Sequence, residues 1–386
     1  MFKSAVQQVS SAAFTDTKPH YELLDGLRGM AALLVLWYHV QEGFAFAGGA
    51  LVIEHMNHGY LAVDFFFILS GFVIGYAYDD RWNKNLAFAN FCKRRLIRLH
   101  PMVVLGAVVG VVCFLLQGSV QWDGTHVALS SVMIALVCAL FFIPALPGGM
   151  GKVRGNGEAF PLNGPAWSLF YEYIGNILYA LLLRRLSTKA LTALVVALGG
   201  GLVAFTWLDM SGYGSFGVGW TMQGTGFWSG LLRMLFPFSM GLLLSRHFKP
   251  VKIKGAFWIC SALLLGLFLV PFIEGNGSLC LNGVFESFCI VVMFPLLVWL
   301  GASGKTTDKL SSSICKFLGD LSFPLYITHY PIMYLFYAWL IKQQLFTLAD
   351  TWSVVAGVCA ANVILAYLYL KFYDEPVRKW LAAKFI

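Results

Sequence analysis

Residues 23–46 read LLDGLRGMAALLVLWYHVQEGFAF, an apolar stretch that contains only a few charged side chains. A helix needs about 20 mostly apolar residues to cross the hydrocarbon core of a bilayer. This stretch is long enough, and similar stretches recur along the chain. The sequence therefore predicts an all-α polytopic membrane protein.

The overall composition agrees with that prediction. Of the 386 residues, 59% are hydrophobic and 12% are charged, whereas a soluble domain has about 25% charged residues. This composition excludes a water-soluble fold. The formal net charge of +8 does not indicate nucleic-acid binding, because the lysines and arginines form short clusters between apolar stretches. The eight cysteines occur singly, so neither a metal site nor a disulfide framework is predicted.

Eleven stretches are apolar enough to be considered as membrane spans. They cover residues 24–46, 60–78, 99–117, 127–146, 166–184, 190–208, 228–246, 256–273, 284–301, 318–341 and 352–371.

The basic loops decide how many of these stretches cross, because short loops rich in Lys and Arg remain in the cytoplasm. If all eleven crossed, every basic cluster from residue 184 onward would lie outside. If 127–146 does not cross, all of them lie inside. We therefore predict ten transmembrane helices, a re-entrant or interfacial segment at 127–146, and both termini in the cytoplasm. The predicted domains are a tail at 1–22, one membrane domain at 23–380 and a second tail at 381–386.

Two charged or titratable residues in the first span need a reason to be there, since a charge at mid-membrane costs about 2.5–3.5 kcal/mol. Arg28 and His39 are eleven residues apart, so they project from one helical face about 16 Å apart. Arg28 is explained equally well as a cytoplasmic anchor or as a functional residue. His39 lies near the midplane, which favours function over a structural hydrogen bond.

Other polar residues sort by their predicted depth. Asp64 and Glu172 fall in the outer halves of their spans, and His329 lies near the middle of its span, just before a proline. Asp64 and Arg233, another charge within a span, each need a partner. At the cytoplasmic entrance of the third span are neighbouring arginines that are typical of topology anchors but also of a phosphate site: Arg94, Arg95 and Arg98. The neighbouring arginines therefore lie on the cytoplasmic side, histidines near the midplane and carboxylates in the outer half. This order suits an anionic donor that enters from the cytoplasm and a hydroxyl acceptor that meets it from outside.

Six motifs together resemble the acyltransferase 3 family of membrane O-acyltransferases. In chain order they are the Arg-x10-His pair within LDGLRGMAALLVLWYH, GYLAVDFFFILSGFVI, RRLIRLHP, AWSLFYE, LSFPLYITHYP and EPVRKW. The matches run from residue 23 to residue 380. One departure is Pro324, where similar sequences often have Tyr.

The resemblance implies a core of about ten helices in a bacterial inner membrane, with acyl-coenzyme A as donor and no metal. The expected acyl group is acetyl. The acceptor it implies is a hydroxyl of an extracytoplasmic or lipid-linked glycan, and nucleic acid is not an expected partner. Some relatives carry a fused extracytoplasmic domain. This chain ends at Ile386, so transfer is expected within the helix bundle or with a separate partner protein. A homo-oligomer is left open.

The hypothesis for the site follows from the motifs. His39 is expected to act as general base on the acceptor hydroxyl, directly or through a covalent step, and direct transfer is the simpler scheme because no Ser or Cys lies in a recognisable nucleophile motif. Glu172 or Asp64 orients His39 or binds acceptor hydroxyls. His329 serves as a second acid–base group or as a donor to the thioester carbonyl. Coenzyme A phosphates are bound by Arg28, Arg94, Arg95 and Arg98. Within the same motifs, four residues are expected to contact substrate: Ser70, Trp167, Ser168 and Tyr326. The alternative function is a glycan or lipid transporter or export permease, in which the same residues line a pathway.

Overall fold

The computed structural model describes residues 21–49, 56–84, 86–145, 152–251, 253–273, 279–306 and 308–386. Each of the eleven apolar stretches contains a helix, and the described residues form no named strand, only isolated bridges. The helices are α1 Glu22–Gly48, α2 Gly59–Trp82, α3 Phe88–Leu116, α4 Leu129–Leu140, α5 Ala166–Leu181, α6 Thr188–Trp207, α7 Gly226–His247, α8 Ala256–Phe268, α9 Leu281–Ser303, α10 Lys309–Gln343 and α11 Leu348–Phe385.

Seven of these helices are long and apolar enough to cross a membrane: α1, α2, α3, α6, α7, α9 and α11. The prediction of an all-helical, multi-pass protein is therefore confirmed, whereas the count of ten spans is not. Helix α4, within the segment expected not to cross, has 12 residues, which corresponds to a length of about 18 Å. The residues that follow it at 146–151 lie outside the described part of the chain.

Glycines allow the central helices to approach closely. Helix α1 packs along α10, where a Cβ added to Gly29 would come within 2.1 Å of the carbonyl oxygen of Leu318. Helices α2 and α7 meet in the same way, since a Cβ at Gly71 would lie 2.0 Å from the Phe238 oxygen. Apolar side chains gain little by leaving lipid, so such small-residue contacts are a main source of packing energy between membrane helices.

Helix α10 contains Pro324 and Pro331 and yet remains continuous. A proline has no N–H, so Pro331 leaves the carbonyl of Ile327 without its usual helical partner. The Asn163 amide donates to that oxygen at 2.7 Å. The loop before α5 is thereby held against the middle of α10, beside His329.

Candidate active site

Two cavities lie along α1, one near each end of the helix. The larger, which we call the arginine cavity, has a volume of about 540 Å³ and is lined near the start of α1 by Glu22, Asp25 and Arg28. The smaller, the histidine cavity, has a volume of about 250 Å³ and is lined farther along α1 by His39 and Glu42. Two polar sites therefore lie one after the other along helix α1.

In the histidine cavity, His39 is paired with a carboxylate from its own helix. Its Nδ1 lies 2.7 Å from Oε2 of Glu42, because residues three apart share a helical face. The same carboxylate oxygen accepts a hydrogen bond from Tyr330 at 3.1 Å and lies 2.9 Å from the Tyr337 hydroxyl, whose one proton is shared with the His39 carbonyl oxygen at 2.8 Å. Tyr38 donates to the other oxygen at 3.4 Å. Glu42 is thus held in one position by three phenols.

This pairing decides which nitrogen of His39 is free. When Nδ1–H donates to the carboxylate, Nε2 of the neutral ring carries the lone pair. The ring can then accept a proton at Nε2, and the adjacent Glu42 stabilises the imidazolium that forms. This is the arrangement of a general base with an orienting carboxylate.

The two carboxylates expected to orient His39 are engaged elsewhere. Glu172 accepts hydrogen bonds from Arg95 at 2.7 Å and Ser70 at 2.9 Å, on the wall of the arginine cavity. Asp64 forms a buried ion pair with Arg233 at 2.7 Å. The partner of His39 is Glu42, which we did not identify from the sequence. Its position three residues after His39 in the same span is the signal that could have revealed it.

The ion pair between Asp64 and Arg233 confirms that each needed a partner. Both side chains are almost completely buried, and Arg233 also donates to the carbonyl oxygens of Val218 and Tyr60. Its guanidinium lies 5.2 Å from the centre of the Trp167 ring. Arg233 lines the histidine cavity, and the ion pair with Asp64 holds its guanidinium in place.

His329 lies beside His39, with ring centroids 5.1 Å apart. Its Nδ1 is 3.0 Å from the Leu325 carbonyl and 2.9 Å from that of Tyr326, both of which only accept hydrogen bonds. The proton of the neutral ring is therefore on Nδ1, and Nε2 is buried without a partner among the described residues. In this form His329 accepts rather than donates at Nε2, so the hypothesised donation to a thioester carbonyl requires a second proton.

The predicted donor-site arginines separate into two groups. Arg28, Arg95 and Arg98 all line the arginine cavity, whereas Arg94 is not part of its lining. Arg28 is held by Ser322 at 2.8 Å and by Asp25 at 3.1 Å. Arg98 is exposed and projects from the same face of α3 as Arg95.

The four predicted substrate contacts all line a cavity. Ser70 and Ser168 line the arginine cavity, Trp167 lines the histidine cavity, and Tyr326 lines both. The Ser168 hydroxyl is 2.9 Å from the Pro165 carbonyl, to which it donates, and 2.7 Å from the Tyr326 hydroxyl. Because Ser168 has one proton, Tyr326 is the donor in the second hydrogen bond.

No group of three or more His, Cys, Asp or Glu side chains that could hold a metal ion occurs among the described residues. The residues that line the two cavities offer acid–base chemistry at His39 and binding of an anion by the arginines.

Comparison with known proteins gives a family match over most of the chain. The model of a family described as an acyltransferase domain matches residues 21–371. Protein 2 in the picA locus of Rhizobium radiobacter is 35% identical over 182 residues, which cover 45% of this chain and 88% of that protein. No solved structure matches.

Two longer matches cover nearly the whole chain. A peptidoglycan O-acetyltransferase of Listeria monocytogenes is 26% identical over 376 residues, which cover 92% of this chain and 55% of that protein. The chain therefore spans about half the length of this relative. An acyltransferase of Streptomyces mycarofaciens is 24% identical over 362 residues, which cover 89% of this chain and 86% of the relative.

Proposed function

The chain belongs to the acyltransferase 3 family, and from that premise we propose that this acyltransferase moves an acetyl group from acetyl-coenzyme A to a hydroxyl of an extracytoplasmic or lipid-linked glycan. The observation that supports this most is the order of the two cavities along α1. An arginine-lined cavity suited to an anionic donor is followed by one that contains a histidine base.

The donor is assigned to the arginine cavity. Arg95 and Arg98 face the same side of α3, and guanidinium groups match the oxygens of phosphates in pairs. Arg28 faces the cavity from α1. Arg95 and Arg28 are also paired with Glu172 and Asp25, which hold the guanidinium groups in place before the donor binds. Arg94, outside the cavity lining, is not given a donor contact.

His39 then acts as general base on the acceptor. Its Nε2 takes the hydroxyl proton while the acceptor oxygen forms a bond to the acyl carbon. The carbon–sulfur bond breaks, and the departing thiolate of coenzyme A takes up the proton. Glu42 orients the ring throughout. Positioned acid–base groups of this kind contribute about 10²–10⁴ in rate.

The lining of the histidine cavity supports a sugar acceptor. Aromatic rings provide flat apolar faces, and the carboxylates of Glu42 and Glu158 can accept hydrogen bonds from hydroxyl groups. Glu158 belongs to the loop before α5 and accepts from Tyr334 and Asn156. The aromatic lining consists of Tyr38, Phe46, Tyr60, Trp122, Trp167, Trp220, Tyr326, Tyr330, Tyr334 and Tyr337.

The experiment that tests this function measures acetyl transfer by the purified full-length protein. Transfer from acetyl-coenzyme A is monitored as the release of free coenzyme A. A transporter or permease would release none. The family membership disfavours the transporter alternative. The pairing of His39 with Glu42 gives the acyltransferase hypothesis a specific chemical basis.

We further propose ten crossings in a bacterial inner membrane, with both termini in the cytoplasm and 127–146 not crossing. Cysteine labelling in a background without native cysteines should find loops 118–126 and 149–157 on the same outer side. Labelling on opposite sides would refute the ten-span arrangement without affecting the chemistry at His39.

A further inference from the structure

The two cavities share a boundary made by very few side chains. Among the described residues that line them, Val63 of α2 and Tyr326 of α10 line both cavities. Both side chains are almost completely buried. A group that passes from the arginine cavity towards His39 across this shared boundary contacts these two residues.

Both boundary residues are held firmly. The Tyr326 hydroxyl donates to Ser168, whose own proton is donated to the Pro165 carbonyl. The Tyr326 ring also packs against the Phe66 ring, with centroids 5.3 Å apart. The boundary on the α10 side therefore has a fixed shape.

Val63 is fixed by its place in α2. It precedes Asp64, whose buried ion pair with Arg233 holds the start of this helix against α7. A β-branched side chain in a helix also has one strongly preferred rotamer. Val63 therefore presents a rigid pair of methyl groups to the boundary.

The reaction places the acyl group at this boundary. Reacting atoms must approach to about 3–3.5 Å, and the proposed acceptor oxygen lies beside His39 while the coenzyme lies in the arginine cavity. The acyl carbon must then reach the boundary, and its alkyl tail must fit beside Val63 and Tyr326.

We propose that Val63, which lines the boundary together with Tyr326, limits the transferred acyl group to two carbons. This inference rests on the proposed function. It assigns donor selectivity to a residue that binds no phosphate and exchanges no proton. In an apolar pocket, one extra methylene changes selectivity by about 10–200-fold.

The test is the ratio of propionyl to acetyl transfer, measured with propionyl- and acetyl-coenzyme A on the full-length protein in nanodiscs that contain host lipid and glycan acceptor. Wild-type protein should prefer acetyl. Val63→Ala removes two methyl groups and should raise the ratio by at least about tenfold. Val63→Cys should raise it less, and it provides the test if the alanine variant does not assemble.

Two other valines provide matched controls. Val73 lines only the arginine cavity, and Val35 lines only the histidine cavity. Val73→Ala and Val35→Ala make the same chemical change away from the boundary, so the ratio should remain within about twofold of wild type, well below the tenfold step expected for one methylene.

The outcomes separate the two proposals. Wild-type transfer with a ratio that Val63→Ala and Val63→Cys leave unchanged would overturn the boundary inference and leave the proposed function intact. Equal use of both donors by wild type would also overturn it. No transfer from either donor by assembled wild-type protein would overturn the proposed function, and the inference with it.

Discussion

Replacing Glu42 with Gln tests the pairing that the sequence did not reveal. The change keeps the size of the side chain but removes the charge that faces His39 Nδ1 at 2.7 Å. A hydrogen bond to a charged group contributes about 1.5–3 kcal/mol. The imidazolium exists only once the proton has moved, so this contribution is made mainly in the transition state. Since 1.36 kcal/mol is tenfold in rate, kcat should fall by about 10–150-fold.

The assay is acetyl transfer at saturating acetyl-coenzyme A, with assembly checked by size-exclusion chromatography in detergent. Asp350→Asn makes the same carboxylate-to-amide change at an exposed position and should retain wild-type kcat. Tyr337→Phe removes one phenol from Glu42 and should cost about 1 kcal/mol, or roughly fivefold. A correctly assembled Glu42→Gln variant with kcat within about twofold of wild type would refute the role of Glu42.

Further predictions concern the donor site and the buried ion pair. The double variant Arg95→Lys, Arg98→Lys should weaken acetyl-coenzyme A binding by at least about tenfold, roughly 1.4 kcal/mol, because an ammonium cannot replace the planar guanidinium fork. Arg94→Lys is the matched control. If calorimetry finds wild-type affinity in the double variant, the two arginines serve only as topology anchors. The affinity of wild type should also fall with added salt, as the exposed contacts are screened. Asp64→Asn should destabilise the protein by about 3–5 kcal/mol, because it leaves the Arg233 charge buried and unpaired; a melting temperature equal to that of wild type would show that the pair is dispensable.

The sequence predicted the helices well because their signal is local. An apolar stretch of sufficient length indicates a helix wherever it occurs, and all eleven stretches contain one. Crossing is a different property, since it depends on the membrane and on packing. Helix α10 illustrates this: its central polar residues and two prolines lower its apolar character, although it packs along α1 through close contacts such as that of Gly29 with Leu318.

The site was only partly predictable. Spacing placed Arg28 and His39 on one face of α1, and they line successive cavities. Pairs between different helices are decided by tertiary contacts, which the sequence does not encode at any fixed spacing. Glu172 pairs in this way with Arg95, 77 residues away in the chain, whereas the pair of His39 and Glu42 uses the local spacing of three residues within one helix.

The central claim is that His39 promotes acetyl transfer from acetyl-coenzyme A to a glycan hydroxyl. The most direct measurement uses acetyl-coenzyme A with a ¹³C-labelled acetyl group, supplied to membranes that contain either wild-type protein or His39→Ala, with mass spectrometry of the glycan fraction. We expect a labelled, base-labile ester with wild type and its loss with an equally abundant His39→Ala protein. Equal labelling by the two proteins would contradict it.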